Sequence, residues 1–94
     1  MDMTTMLANV KAAMRITVTA YDAEITSLIN AAVLDLGIAG ITVPDAIDAL
    51  VTRAIITYCR CNFGSPDDYD RLKAAYDEQK AQLQMSSLYH VWGS

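Results

Sequence analysis

The sequence predicts an all-α fold: a small four-helix domain over residues 1–85, followed by an extended C-terminal tail over residues 86–94. The 94 residues suffice for one domain, and hydrophobic residues make up 53% of them. Long stretches rich in Ala, Leu, Ile and Val repeat apolar side chains at spacings of three and four, as amphipathic helices do. Glycine and proline are few, and the two prolines stand at separate points where a helix can begin.

The first two helices are predicted from apolar stripes with capping residues before them. Helix one spans about residues 5–15, with its cap at Thr4 or Thr5. Helix two spans about residues 20–36, and Thr19 stands before it as a cap. Gly37 fits the left-handed position that closes a helix.

The last two helices each follow a proline. Helix three is predicted to begin at Pro44 and to end near Phe63, and its long apolar stripe makes it the central helix of the fold. Helix four is predicted to have Ser65 as its cap and Pro66 in the first helical position. Its apolar stripe is thin, so this helix depends on docking its tyrosines elsewhere. Two ion pairs are predicted on its surface: Asp67 with Arg71, and Asp77 with Lys80.

Several features are typical of surfaces that contact another protein. A second stripe on helix three mixes arginine with isoleucine, and arginine often anchors subunit contacts; a solvated face with one incidental isoleucine is the alternative. The loop over residues 38–43 is unusually apolar, so either it folds back over the core or a neighbouring chain covers it. The tail holds the only tryptophan and the only histidine. The predicted interface residues are Arg53, Ile56, Arg60, Tyr69, Tyr76, Tyr89 and Trp92.

The acidic balance of the chain limits its partners. The net charge is −4 and the seven Lys and Arg residues are scattered, whereas a nucleic-acid groove needs clustered cations. The first residues lack the charged-then-apolar order of a signal peptide. No apolar stretch approaches the roughly 18 residues that span a bilayer. We therefore expect a soluble protein made in a cytoplasm, with no membrane partner.

Cys59 and Cys61 stand two positions apart in a predicted helix. This spacing turns their side chains about 200° away from each other, so they can neither pair nor share a metal without breaking the helix. Zinc would also need ligands that the single histidine, His90, can barely supply. We expect two free thiols, with Cys59 in the core, and neither a metal nor a cofactor.

The sequence contains no convincing set of catalytic groups. It has no glycine-rich phosphate loop, no HExxH motif and no paired carboxylates beyond ordinary helix surfaces. His90 lies in the tail, a poor place for a pre-organised general base. A small helical mutase acting on an anionic substrate would require Arg15, Arg53 and Arg60 to converge in a pocket, and nothing in their spacing brings Arg15 to the other two. We therefore predict no enzymatic activity and no catalytic residues.

Four segments, taken in order, are similar to the helices of a known family. They are Leu7…Val10-Lys11…Met14-Arg15-Ile16, Asp22-x-Glu24-Ile25-x-x-Leu28-Ile29, Ala54…Tyr58-x-Arg60-x-Asn62-Phe63-Gly64 and Pro66-Asp67…Leu72…Tyr76-Asp77…Lys80…Leu83. Their order and spacing together resemble the small head–tail connector proteins of long-tailed bacteriophages, also called adaptor, head-completion or DNA-packaging proteins. The resemblance covers nearly the whole chain, and only the ending over residues 89–94 departs from it.

The resemblance implies a structural protein that assembles as a ring, usually of about twelve copies, beneath the portal of a DNA-filled capsid. Such a ring extends the portal channel, lets DNA pass without sequence-specific binding, and offers a platform for the stopper protein or the tail. Its place would be the virion, at the head–tail interface, after synthesis in the cytoplasm of a bacterial host. The alternative from another class is a small helical interaction module or regulator that acts as a dimer.

Overall fold

Four α-helices build the fold. The computed structural model describes residues 2–41 and 49–85, and the helices are α1 (Met3–Met14), α2 (Asp22–Ile38), α3 (Ala49–Asn62) and α4 (Tyr69–Met85). The prediction of a small all-α domain is confirmed. Pro44, the predicted start of helix three, and the tail over residues 86–94 lie outside the described residues.

Asp2 fixes the start of α1, not the threonines predicted as its cap. The carboxylate of Asp2 accepts hydrogen bonds from the hydroxyl of Thr5 at 2.6 Å and from the backbone N–H of Thr4 at 3.1 Å. The Thr5 bond first, and then the Thr4 bond, hold the pKa of Asp2 below its usual value. The predicted cap was therefore wrong, because a carboxylate earlier in the chain satisfies the free N–H groups of the first turn.

Both predicted ends of α2 were wrong by a few residues. α2 begins at Asp22, and Thr19 contributes its backbone carbonyl, which accepts a hydrogen bond from the Asp22 N–H at 3.1 Å, rather than a capping side chain. At the other end the helix passes through Gly37 and ends at Ile38. The left-handed position belongs to Gly40, whose φ is 85°, so the closing turn lies three residues later than predicted.

The central position of α3 is confirmed, because α3 packs against all three other helices. One continuous core results, and every helix contributes to it. Its buried residues are Met6, Val10, Ile25, Ile29, Ala32, Leu36, Ile41, Val51, Ala54, Ile55, Cys59, Tyr76 and Leu83. Both cysteines are free and buried, as predicted for Cys59.

The connection between α3 and α4 is longer than predicted. Gly64, with a φ of 68°, turns the chain after α3. Residues 67 and 68 then form a turn, and α4 begins at Tyr69. The predictions of Ser65 as the cap and Pro66 as the first helical residue are wrong, because this turn separates both residues from the helix.

The ion pairs of α4 differ from the predicted ones. Its cations pair as Arg71–Asp68, Lys73–Asp77 and Lys80–Asp35. The predicted pairs Asp67–Arg71 and Asp77–Lys80 are therefore wrong. The Asp77–Lys80 pair is absent because Lys80 makes a contact with another helix instead. It points toward α2, where its Nζ lies 3.2 Å from a carboxylate oxygen of Asp35. This pair joins α4 to α2, whereas the predicted pair would have stayed within one helix.

Candidate assembly surfaces

The outer side of α3 carries the stripe that the sequence assigned to an interface. Arg53 and Arg60 are exposed, and they lie on the side of the helix opposite the buried Val51 and Ile55. Two helical turns, about 10 Å, separate their backbones. Ile56 lies between them, half-buried and packed against the core. The stripe therefore combines two exposed charges with a half-buried aliphatic side chain between them, a combination found at subunit contacts.

A third arginine joins this surface through the packing of α1. Arg15 follows the last residue of α1 in a left-handed conformation, with a φ of 59°. Arg15 and Arg60 line the same open groove, which runs between the end of α1 and the connection before α4. The groove is also lined by Ala13, Met14, Pro66, Asp68 and Leu72. We call Arg15, Arg53 and Arg60 the arginine face.

The arginine face is distinct from the other cations because it has no ion pair with any described residue. The four other cations are all paired: Lys11 with Asp22, Arg71 with Asp68, Lys73 with Asp77 and Lys80 with Asp35. The Nζ of Lys11, for example, lies 2.7 Å from Oδ1 of Asp22, and this pair joins α1 to α2. Of these four pairs, Lys11–Asp22 and Lys80–Asp35 join two helices, whereas Arg15, Arg53 and Arg60 take part in no such contact among the described residues.

Tyr76, predicted as an interface residue, lies inside the subunit. Its side chain is 3% exposed, and its hydroxyl donates a hydrogen bond to Asp35 at 2.6 Å. The Nζ of Lys80 lies 5.2 Å from the ring centre of Tyr76, and Tyr58 meets the ring edge-on with centres 5.3 Å apart. This cluster docks α4 onto α2 and α3, which is the docking that the thin stripe of α4 requires.

The Tyr76–Asp35 hydrogen bond also shifts the titration of both groups. It is the main cause that lowers the pKa of Asp35, and Lys80 lowers that pKa further. Burial raises the pKa of Tyr76 well above its usual value, and the hydrogen bond to Asp35 adds to this rise. Tyr69, the other tyrosine predicted for an interface, remains exposed.

α2 carries an exposed apolar ridge of Leu34 and Ile38, of which only Ile38 was singled out from the sequence, within the apolar stretch 38–43. Leu34 is 69% exposed and Ile38 is 87% exposed, one turn apart on the side of α2 away from the core. Leu34 could have been recognised because it does not fit the apolar rhythm of helix two. The end of α4 lies near this ridge, since the side-chain amide of Gln84 donates to the carbonyl of Ala39 at 2.9 Å.

The structure does not gather the three arginines into one pocket. Arg15 and Arg60 share the open groove, and Arg53 lies outside its lining. The groove contains one carboxylate, that of Asp68, which is already paired with Arg71. Within residues 2–41 and 49–85, no group of three or more His, Cys, Asp or Glu side chains is placed to hold a metal ion. Tyr89 and Trp92 lie outside the described residues.

The two cysteines are expected to be unreactive in the folded protein. Cys59 is fully buried, and burial raises the pKa of its thiol to about 12. At about pH 8 this leaves a thiolate fraction near one in ten thousand, and only the thiolate reacts with alkylating reagents. Iodoacetamide labelling followed by mass spectrometry should show almost no modification of either cysteine before unfolding, and complete modification in guanidinium.

A matched control for this labelling is Ser27→Cys. It replaces an exposed serine of α2 by a cysteine, whose side chain is only slightly larger. The added thiol should react quickly in the folded protein. Labelling of Cys59 at the same rate as residue 27 would contradict the buried position.

Comparison with known proteins supplies the family. None of the helices that the structure describes is long and apolar enough to cross a membrane. Comparison with curated proteins and with solved structures gives no match. Comparison with protein families gives a match to the family described as phage connector protein, over residues 6–90. These residues include all four helices except the first turn of α1, so the chain belongs to the phage connector protein family.

Proposed function

We propose that this chain is a structural protein of the virion that forms a ring below the portal, at the junction of head and tail. The observation that carries the proposal is the family match over residues 6–90, which covers nearly the whole helical domain. The ring extends the DNA channel and gives the stopper protein or the tail a surface on which to dock. The number of copies is set by the portal, and we take it to be about twelve.

The charge and the surfaces of the chain support this role. The net charge of −4 suits a channel through which DNA passes, because a strongly basic lumen would hold the phosphates. The arginine face and the apolar ridge of Leu34 and Ile38 provide exposed charged and apolar surface for contacts with neighbouring chains. We propose no catalytic step, because the four ion pairs and the Tyr76–Asp35 hydrogen bond give the nearby charged groups a structural use.

The test is co-assembly with the portal protein encoded by the same phage genome. The purified chain and the portal should form a large cyclic complex, and native mass spectrometry gives the number of copies. A chain that stays monomeric and never binds the portal would overturn the proposal. A stable dimer that ignores the portal would instead support a helical interaction module.

Deletion of residues 87–94 tests the tail in the same assay. The deleted segment contains Tyr89 and Trp92, which we expect to contact the portal or another partner. Portal binding should weaken while the cooperative thermal unfolding of the helical domain, followed by circular dichroism, is retained. Replacement of only Tyr89 and Trp92 by alanine is the finer version, and full binding by both variants would contradict the role of the tail.

A further inference from the structure

The arginine face offers three charges that nothing within the described chain neutralises. Every lysine of the protein is held in an intramolecular ion pair, and the cations that have no ion pair with a described residue are all arginines. Arginine suits contacts between chains, because its planar guanidinium binds a carboxylate through two parallel hydrogen bonds. Arg60 and Arg15 also line the same open groove, together with Met14 and Leu72.

A second surface of the same chain carries the opposite charge. Asp70 and Glu78 lie on the outer side of α4, opposite the buried Leu72, Tyr76 and Leu83. Asp67 precedes them in the turn before the helix. All three carboxylates are exposed, and none forms an ion pair with a described residue. We call Asp67, Asp70 and Glu78 the acidic face.

The two faces do not neutralise each other by ion pairs within the described part of the subunit. The arginine face lies on the outer side of α3 and at the end of α1, whereas the acidic face lies on the outer side of α4 and in the turn before it, and no ion pair among the described residues joins the two. Two distinct complementary patches on one molecule allow a head-to-tail contact between identical copies, and repetition of that contact gives a ring or a filament. A DNA partner for the arginines is disfavoured, because the chain as a whole carries a charge of −4.

We propose that the arginine face of one copy docks on the acidic face of a second copy. This proposal rests on the ring assembly proposed above and names its two contact surfaces. The half-buried Ile56 supplies apolar contact at the centre of the arginine face. The association weakens as salt rises, because both faces are exposed and the screening length falls from about 10 Å at 0.1 M to about 3 Å at 1 M.

The test is a charge swap measured on the isolated, full-length chain by sedimentation and light scattering. One variant carries Arg53→Glu and Arg60→Glu, and the other carries Asp70→Arg and Glu78→Arg. Each variant alone brings like charges together, so its self-association should weaken at least roughly tenfold. An equimolar mixture restores opposite charges at every contact and should recover the association of the unmodified chain. Concentrations up to about 1 mM at low salt detect contacts with a Kd as weak as about 1 mM.

Glu24→Arg is the matched control, because Glu24 is an exposed acid on α2, outside both faces, and has no ion pair with a described residue. This variant should associate like the unmodified chain. Circular dichroism checks that each variant folds, and Arg53→Gln with Arg60→Gln is the milder replacement if reversal disturbs the helices. This neutral variant should lose the salt dependence of self-association.

Three results would overturn the proposal: an unmodified chain that is monomeric throughout this range, swapped variants that associate normally, or a mixture that fails to recover. Binding of duplex DNA that the arginine variant loses, with self-association unchanged, would assign the face to phosphate instead. The proposed function fails separately, in the portal assay. If the two swapped variants restore each other's association but the unmodified chain binds no portal, the contact between copies stands and the connector role is refuted.

Discussion

Replacement of Ile55 by alanine is expected to lower the free energy of unfolding by about 2–5 kcal/mol, the usual range for such a truncation in a core. Ile55 is fully buried near the middle of α3, the helix that packs against the other three. A domain of 94 residues has a total stability of only about 5–15 kcal/mol, so this loss is a large part of it. Urea unfolding followed by circular dichroism measures the change, and the midpoint of thermal unfolding should fall by more than about 10 °C.

The adjacent residue provides the matched control for this truncation. Ile56 has the same side chain on the same helix, but it is only half-buried and lies between Arg53 and Arg60 of the arginine face. Ile56→Ala should lower the free energy of unfolding by about 1 kcal/mol, because less apolar area returns to water. A loss from Ile56→Ala as large as that from Ile55→Ala would contradict the assignment of the two residues to different sides of α3.

The helices themselves could be predicted from the sequence because they depend on local periodicity. The stripes of α2 and α3 predicted the buried Ile29 and Ile55 correctly, since a helix that shows such a stripe must bury it. The helix ends were harder to predict because several neighbouring residues could each occupy the capping position. Asp2 and Thr4 are both good caps, and only the path of the chain decides which one receives the free N–H groups.

The assembly surfaces could be predicted in part, again from helical periodicity. Arg53 and Arg60 share a face by helical periodicity alone, so the stripe on α3 could be predicted. The approach of Arg15 to Arg60 could not, because it depends on how α1 packs beside the connection between α3 and α4. Periodicity placed Tyr76 on the apolar stripe of α4 but did not identify its partner, Asp35, which is distant in sequence.

The hydrogen bond between Tyr76 and Asp35 is the second interaction whose removal should have a large effect. Tyr76→Phe keeps the ring in the core and removes only the hydroxyl that donates to Asp35 at 2.6 Å. A hydrogen bond to a charged group contributes about 1.5–3 kcal/mol. The Asp35 side chain is 35% exposed, so solvent screening reduces the expected loss to about 1–2 kcal/mol. Tyr69→Phe removes an exposed tyrosine hydroxyl and should change stability by less than about 0.5 kcal/mol.

A double-mutant cycle with Asp35→Asn separates this bond from other effects of the two substitutions. If the hydroxyl acts mainly through the Asp35 carboxylate, the loss from Tyr76→Phe should be smaller in the Asp35→Asn background. Urea unfolding of the four proteins gives the coupling free energy. Equal losses from Tyr76→Phe in both backgrounds would show that the hydroxyl stabilises the fold without the charge of Asp35.

The pH dependence of the same variants gives a second test with a defined sign. The hydrogen bond from Tyr76 lowers the pKa of Asp35 in the folded protein, so the stabilisation is fully present above the unfolded-state pKa of about 3.9. It is lost as the pH falls through the lower, folded-state pKa. The pKa of Tyr76 is raised, so its contribution is fully present below its unfolded-state pKa of about 10 and decreases above it. The stability difference between the unmodified chain and Tyr76→Phe should therefore be constant from about pH 5 to about pH 9 and shrink on both sides. A difference that grows on acidification would contradict the ionised Asp35 carboxylate as the acceptor of this hydrogen bond.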